Sequence, residues 1–257
     1  MLTCGLLLTA CTGAELDVIT ATPRPPTPTP FQTPTIVWFP PTVTPTPHPI
    51  ITQPPTPDML TGLGGLIASD DFTDPGEWDT AVSKEGSASV SRERLTLAVQ
   101  PGVYIVSMQR QMVLGNFYDE ITARPSLCRG ADEYGFVVRA STATYYRFSL
   151  TCDGQAHAER ISLQERHDLH EPVMSGDVPP GAPGEVRIGV WAAGSELRLF
   201  LNDRFQFSFT DKNISSGTVG VFASAKGDTP VTVTFTDLRV RSVEYTLPSA
   251  TPNNTAP

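Results

Sequence analysis

The chain has 257 residues, 39% of them hydrophobic, which is enough for one packed core, and its formal net charge is −9. A pI near 4.9 opposes binding to a polyanion, because phosphate recognition relies on Lys and Arg displacing counterions, so nucleic acid is not an expected partner. Twenty-five prolines are roughly twice the usual share and no window approaches the ~20 apolar residues that span a bilayer, so the prolines belong outside a core and any membrane attachment must be something other than a transmembrane helix.

In chain order, Leu8-Thr9-Ala10-Cys11 match the bacterial lipobox, and the apolar run Leu6–Leu8 resembles a short signal-peptide core. A signal peptidase needs small side chains beside the cut, and the thiol of Cys11 receives the diacylglycerol. No Lys or Arg precedes Cys11, which a translation start placed too far downstream would explain. Residues 1–11 are therefore expected to be a lipoprotein signal segment, with Cys11 lipidated and the protein extracytoplasmic, anchored to the bacterial cell membrane or envelope surface.

Residues 12–60 read as a tether. From residue 22 to 57 Thr and Pro alternate, and proline, with fixed φ and no N–H, favours extended polyproline II. Some 36 residues at about 3.1 Å each would reach roughly 110 Å if stiff. Ile36–Phe39 (IVWF) interrupts the pattern and would rest on a membrane interface, on the domain, or on nothing. Residues 246–257 repeat the Thr/Pro bias and read as a second disordered tail.

Export makes sense of the cysteines. With Cys4 removed and Cys11 acylated, Cys128 and Cys152 remain as a pair where disulfides persist, and no nearby His completes a zinc set.

Between 61 and 245 the pattern changes to short runs of period two, punctuated by turn residues. Examples are Arg94–Gln100, Val103–Gln109, Tyr134–Ala140, Thr144–Cys152, Glu185–Ala192, Glu196–Asn202, Phe205–Phe209, Thr218–Ala223 and Val231–Val243. Such runs are half-buried strands, and no window shows a helical stripe. Asn202-Asp203 sits between two of them as a hairpin turn. The expected fold is all-β, a two-sheet antiparallel jelly-roll sandwich of about a dozen strands.

The opening DDFTDPGEWDT (Asp70–Thr80), the block Val186–Phe205 and the closing Gly217–Arg241 resemble the concanavalin A-like lectin/glucanase superfamily. Within it the chain is similar to domains of bacterial surface lipoproteins and to the 3-keto-disaccharide hydrolase type. The resemblance implies the fold, and that fold hosts enzymes, lectins and adhesion modules alike. Calcium is common in the superfamily, but no ligands for it are assignable here, and no cofactor is expected.

Catalytic motifs are missing. The glucanases of the superfamily resemble one another in a strand motif E-x-D-x-x-E, which this chain lacks; Asp119 and Glu120 are adjacent, so a strand points them to opposite faces. No G-x-S-x-G elbow occurs. His167, Asp168, His170 and Glu171 could approach a metal if their segment folded around it, and otherwise form a solvated polar loop. Asn213 and Asn253 begin glycosylation sequons that matter only in a eukaryotic secretory route, which the lipobox argues against.

Strand parity singles out one constellation. If Tyr146, Phe148 and Leu150 face the core, Tyr145 and Arg147 face away; if Val186, Ile188 and Val190 face it, Arg187 and Trp191 do not; Arg139 lies opposite Phe136 and Val138. Aromatic rings stack on sugar rings and Arg donates paired hydrogen bonds, so Arg139, Tyr145, Arg147, Arg187 and Trp191 are the candidate carbohydrate-binding residues. The alternative is an ordinary outer sheet face, with Trp191 half buried under a loop and the arginines paired to surface carboxylates. Three functional readings follow: a lipid-anchored module that binds glycan, a sugar-active hydrolase, or a structural or adhesive envelope domain.

Overall fold

Alternating apolar residues in runs such as LTLAV and TYYRFSLTC can bury only one face of an extended strand, and the chain answers by stacking two sheets on those faces. The computed structural model describes residues 58–244. Cys11, the Thr/Pro arm with Ile36–Phe39 and the final tail lie outside the described residues.

The strands are β1 (Leu63–Asp70), β2 (Ala81–Val82), β3 (Gly86–Val90), β4 (Leu95–Val99), β5 (Tyr104–Met108), β6 (Phe117–Leu127), β7 (Gly130–Ala140) and β8 (Thr144–Cys152), then β9 (Gln155–Ser162), β10 (Glu165–Met174), β11 (Val186–Ala193), β12 (Glu196–Leu201), β13 (Arg204–Thr210), β14 (Thr218–Ser224) and β15 (Val231–Val243). One sheet of nine strands runs β13-β12-β11-β6-β15-β4-β3-β2, with β1 also on β15; the other, of six, runs β10-β9-β8-β7-β14-β5. All pairings are antiparallel.

The core lies between the sheets. Leu95, Leu97, Ile121, Val233 and Phe235 from the larger sheet meet Tyr134, Phe136, Tyr146, Phe148 and Val221 from the smaller. Each such side chain, fully buried, stabilises the fold by about 1.5–3 kcal/mol. Asn202 and Asp203 adopt φ of 50° and 66°, so the hairpin between β12 and β13 is the turn expected for those two residues. Cys128 and Cys152 are bonded, with Cα atoms 5.8 Å apart across 24 residues, a closure worth roughly 3 kcal/mol in the chain-entropy model.

The segment Glu165–Met174 is not a loop. It is an edge strand paired to β9, with Leu169 and Val173 against the core and Arg166 opposite Ile161. Its polar composition is that of an edge strand with little to bury, which hides the pattern in sequence.

Candidate functional site

The hairpin of β8 and β9 sets Arg147 directly opposite Glu159 and Ser149 directly opposite His157, all on the outer face of the six-stranded sheet. Inner neighbours Ala156 and Ala158 fix that parity, because they pack in the core. Although no strand among the described residues covers this face, Glu159 is 0% exposed and His157 3%, enclosed by taller side chains around them.

Glu159 is the hub. Arg147 Nε donates to its Oε2 at 3.0 Å, Arg166 from β10 is ion-paired with its Oε1, and His157 Nε2 lies 3.1 Å from the same oxygen. Burial alone would raise the Glu159 pKa; hydrogen bonds from His157 and Arg147, with the charge of Arg147, outweigh it and hold the carboxyl below its ordinary value. Burial likewise opposes the Arg147 charge, but Glu159 more than restores it. Glu133 on β7 extends the group, with Oε1 3.9 Å from His157 Nε2 and Oε2 3.5 Å from Lys226 Nζ.

Beside this polar floor stands a shelf of rings. The Arg147 guanidinium lies 5.0 Å from the Phe222 centroid and 5.5 Å from that of Tyr104, and the Tyr104 hydroxyl is 3.3 Å from that of Tyr145. Burial, then the Tyr145 contact, push the Tyr104 pKa up, so the phenol stays neutral. Two buried polar atoms on the floor, Ser149 Oγ and His157 Nδ1, have no hydrogen-bonding partner among the described residues. Fixed, unsatisfied polar atoms next to the half-buried rings of Tyr104 and Tyr145 suit a ligand that offers hydroxyls along one edge and an apolar face along another.

The five residues expected to form one patch separate. Tyr145 and Arg147 lie on this face; Arg187 and Trp191 lie on the outer face of the other sheet, because β11 pairs with β6 and β12. Arg187 is ion-paired with Asp203 and sits 3.9 Å from Glu120. Trp191 is 0% exposed, covered by Met59 and Leu60. Its Nε1 donates to the Thr61 carbonyl at 2.9 Å, and the Arg198 guanidinium stacks 4.1 Å over its ring.

Arg139 breaks the parity rule. A bulge near the end of β7 and a φ of 48° turn its side chain into the end of the sandwich, where it donates to the carbonyls of Gly115, Gly194 and Ile214. It is a buried tie between loops and presents nothing outward.

Sequence reasoning missed Glu133, Ser149, His157, Glu159, Arg166 and Lys226, although Ala156 and Ala158 as core residues would have pointed His157 and Glu159 outward. The proposed metal group disperses along β10: Asp168 faces Arg166 at 3.4 Å, while His170 stacks on Phe207 with centroids 3.9 Å apart. Among the described residues no three His, Cys, Asp or Glu side chains converge on a metal site.

No family model and no curated protein sequence matches the chain. Solved structures do match its fold. The carbohydrate binding module CBM66 from Bacillus subtilis superposes with a TM-score of 0.54 at 14% identity, over 65% of this chain and 96% of that one. The Bacillus licheniformis β-glucanase gives 0.52 at 10% identity, over 70% and 99%. The fold is the concanavalin A-like jelly roll. A Bacillus subtilis protein described as galectin-like shares this jelly roll at a TM-score of 0.52 and 11% identity, over 71% of this chain and 99% of that one. At such identities the likeness carries the fold alone, and the ligand must be argued from the side chains of this concanavalin A-like domain.

Proposed function

We propose that the domain is a carbohydrate-binding module whose ligand lies on the outer face of the six-stranded sheet, displayed outside the cell by a lipid anchor at Cys11 and the Thr/Pro arm. One observation carries the reading: Ser149 Oγ and His157 Nδ1 are buried without partners beside the Tyr104–Tyr145–Phe222 shelf, an arrangement that matches a sugar's hydroxyl edge and apolar face. Solved neighbours that include a carbohydrate binding module and a β-glucanase support it.

Binding without turnover is the favoured form. Glu133 and Glu159 flank His157, but Glu159 is bound by three partners and held ionised, so it has no proton to give a leaving group. The sugar-active hydrolase remains the alternative, and released product is its signature.

Ser149→Ala is the discriminating variant, since it removes an oxygen that makes no hydrogen bond among the described residues. Full-length protein is expected to be retained on at least one insoluble cell-wall or plant polysaccharide, with no sugar released, while Ser149→Ala and Glu133→Gln fold normally and lose affinity about tenfold or more. Failure of wild type to be retained on any polysaccharide overturns the reading, as does equal retention of both variants; soluble sugar in the supernatant replaces it with the hydrolase. Mass spectrometry of the native N-terminus tests the anchor, for which a diacylglyceryl Cys11 is expected and a lipid-free chain that begins at Met1 is the contrary result.

A further inference from the structure

The long strand β15 changes partner in mid-course. On one side β4 pairs with it from Val231 to Phe235 and β1 takes over at Leu238, leaving Thr236 and Asp237 without a strand partner there among the described residues. Asp237 adopts φ 60°, the left-handed region that costs a non-glycine residue free energy. At this break a cleft of about 660 Å³ opens on the outer face of the nine-stranded sheet, away from the polar floor of the other sheet.

Thr234 and Thr236 form its base, and its walls carry Arg92, Arg94 and Arg124 against Asp71, Glu93 and Asp237, three charges of each sign. A hydrogen-bonded chain crosses it. Arg124 Nη1 donates to Thr236 Oγ1 at 2.6 Å, and that hydroxyl donates to Asp237 Oδ2 at 2.6 Å. Glu185 fixes the guanidinium from behind, through Arg124 Nε at 2.7 Å. Neither Arg92 nor Arg94 is ion-paired among the described residues; Arg94 Nε donates to the Arg92 carbonyl at 3.4 Å, and both guanidinium groups line the cleft.

The chemistry selects a class of ligand. A hydroxyl donates and accepts at once, so a guanidinium held beside a carboxylate can satisfy two adjacent hydroxyls in both directions. Charges that cancel within the cleft, in a chain of net charge −9, offer a sulfate or phosphate polymer no electrostatic gain. We propose that this cleft is a second binding site, taking a vicinal diol of a neutral saccharide between Asp237 and Arg124. It goes beyond the six-stranded face and stands or falls separately from it. With both sites filled, one domain would bridge two glycan strands.

The test titrates ¹⁵N-labelled full-length protein with neutral gluco-, xylo-, manno- and fructo-configured oligosaccharides at millimolar concentration. Amide shifts are expected at Arg124, Thr234, Thr236 and Asp237 with at least one of them. Asp237→Asn, which keeps a side chain tolerant of left-handed backbone, is expected to weaken those shifts about tenfold or more and to leave shifts around Ser149 and His157 intact. Shifts confined to Ser149 and His157 overturn this site and spare the first; shifts confined to the cleft do the reverse; none at either face overturns both.

Discussion

The two outer faces of the sandwich are made of the same alternating strands and use charge in opposite ways. On the nine-stranded face the pairs Arg187–Asp203, with side chains 42% and 58% exposed, and Arg124–Glu185, with 42% and 62%, are open to solvent, unlike Arg198–Glu196 beside Trp191 at 8% and 25%, and such exposed pairs contribute about 0–1 kcal/mol each. The large aromatic of that face, Trp191, is roofed by Met59–Thr61. On the six-stranded face Tyr104 and Tyr145 stay half-buried above a buried Phe222, and the central ion pair is buried, with Arg147 and Glu159 at 9% and 0%. A buried ion pair rarely out-stabilises an apolar replacement of the same shape. The network therefore makes sense as a rigid platform for polar recognition, and the contrast shows that a residue's chemistry matters less than what encloses it.

The largest expected effect falls on Glu159. Glu159→Ala leaves the Arg147 charge buried without its carboxylate, and a loss of about 3–5 kcal/mol in urea unfolding is expected. The pH dependence carries a sign. The Glu159 pKa is lower folded than unfolded, so its stabilisation is full above the unfolded value of about 4.3 and is lost as pH falls through the folded one. The variant should therefore lose less stability than wild type on acidification. A change under about 1 kcal/mol would erase the distinction between the faces, because the pair would then behave like the exposed pairs across the molecule.

Trp191→Ala comes next. It opens a cavity under the N-terminal strap, with an expected cost of about 3 kcal/mol, and frees Met59–Thr61 for limited proteolysis. Retention on polysaccharide should persist in the fraction that stays folded. Lost retention at unchanged stability would move recognition to the nine-stranded face and invert the comparison.

Most of the framework was legible in the chain. Thr144–Cys152 and Val231–Val243 emerge with the bounds their alternation predicts, since each buries a continuous apolar row. The strands that escaped, such as β1 (LGGLIASD) and β3 (GSASV), are rich in Gly, Ala and Ser, which carry little period-two signal. The site was less legible for a geometric reason. Asp153-Gly154 suggests a two-residue turn, which would set Arg147 opposite Arg160; the hairpin is one residue longer, with Gly154 at φ 97°, and sets Arg147 opposite Glu159. A single-residue slip reverses which side chains meet, and only the weak signal of two alanines, Ala156 and Ala158, reports it. Arg139 failed through its bulge, and Trp191 through a roof supplied by Met59–Thr61, 130 residues upstream.

The effect that is smallest near pH 4 separates inside from outside at one peptide bond. β6 turns Glu120 outward beside Arg187 and Asp119 inward, where it is 0% exposed and, among the described residues, neither carboxylate oxygen has a hydrogen-bonding partner of normal geometry. Burial pushes the Asp119 pKa well up, offset only partly by the amides of Asp119 and Val190. An acid whose pKa rises on folding favours the folded state fully below its unfolded value, about 3.9, and that advantage drains at about 1.4 kcal/mol per pH unit as pH climbs toward the folded pKa. Asp119→Asn removes the titration while keeping the shape. Its stability should lie within about 1 kcal/mol of wild type near pH 4 and exceed it by a widening margin as pH rises, read from urea midpoints across the range. Parallel profiles would mean that the carboxylate is accommodated inside as comfortably as Glu120 is outside, and burial would then not be what divides this molecule's charges into two kinds.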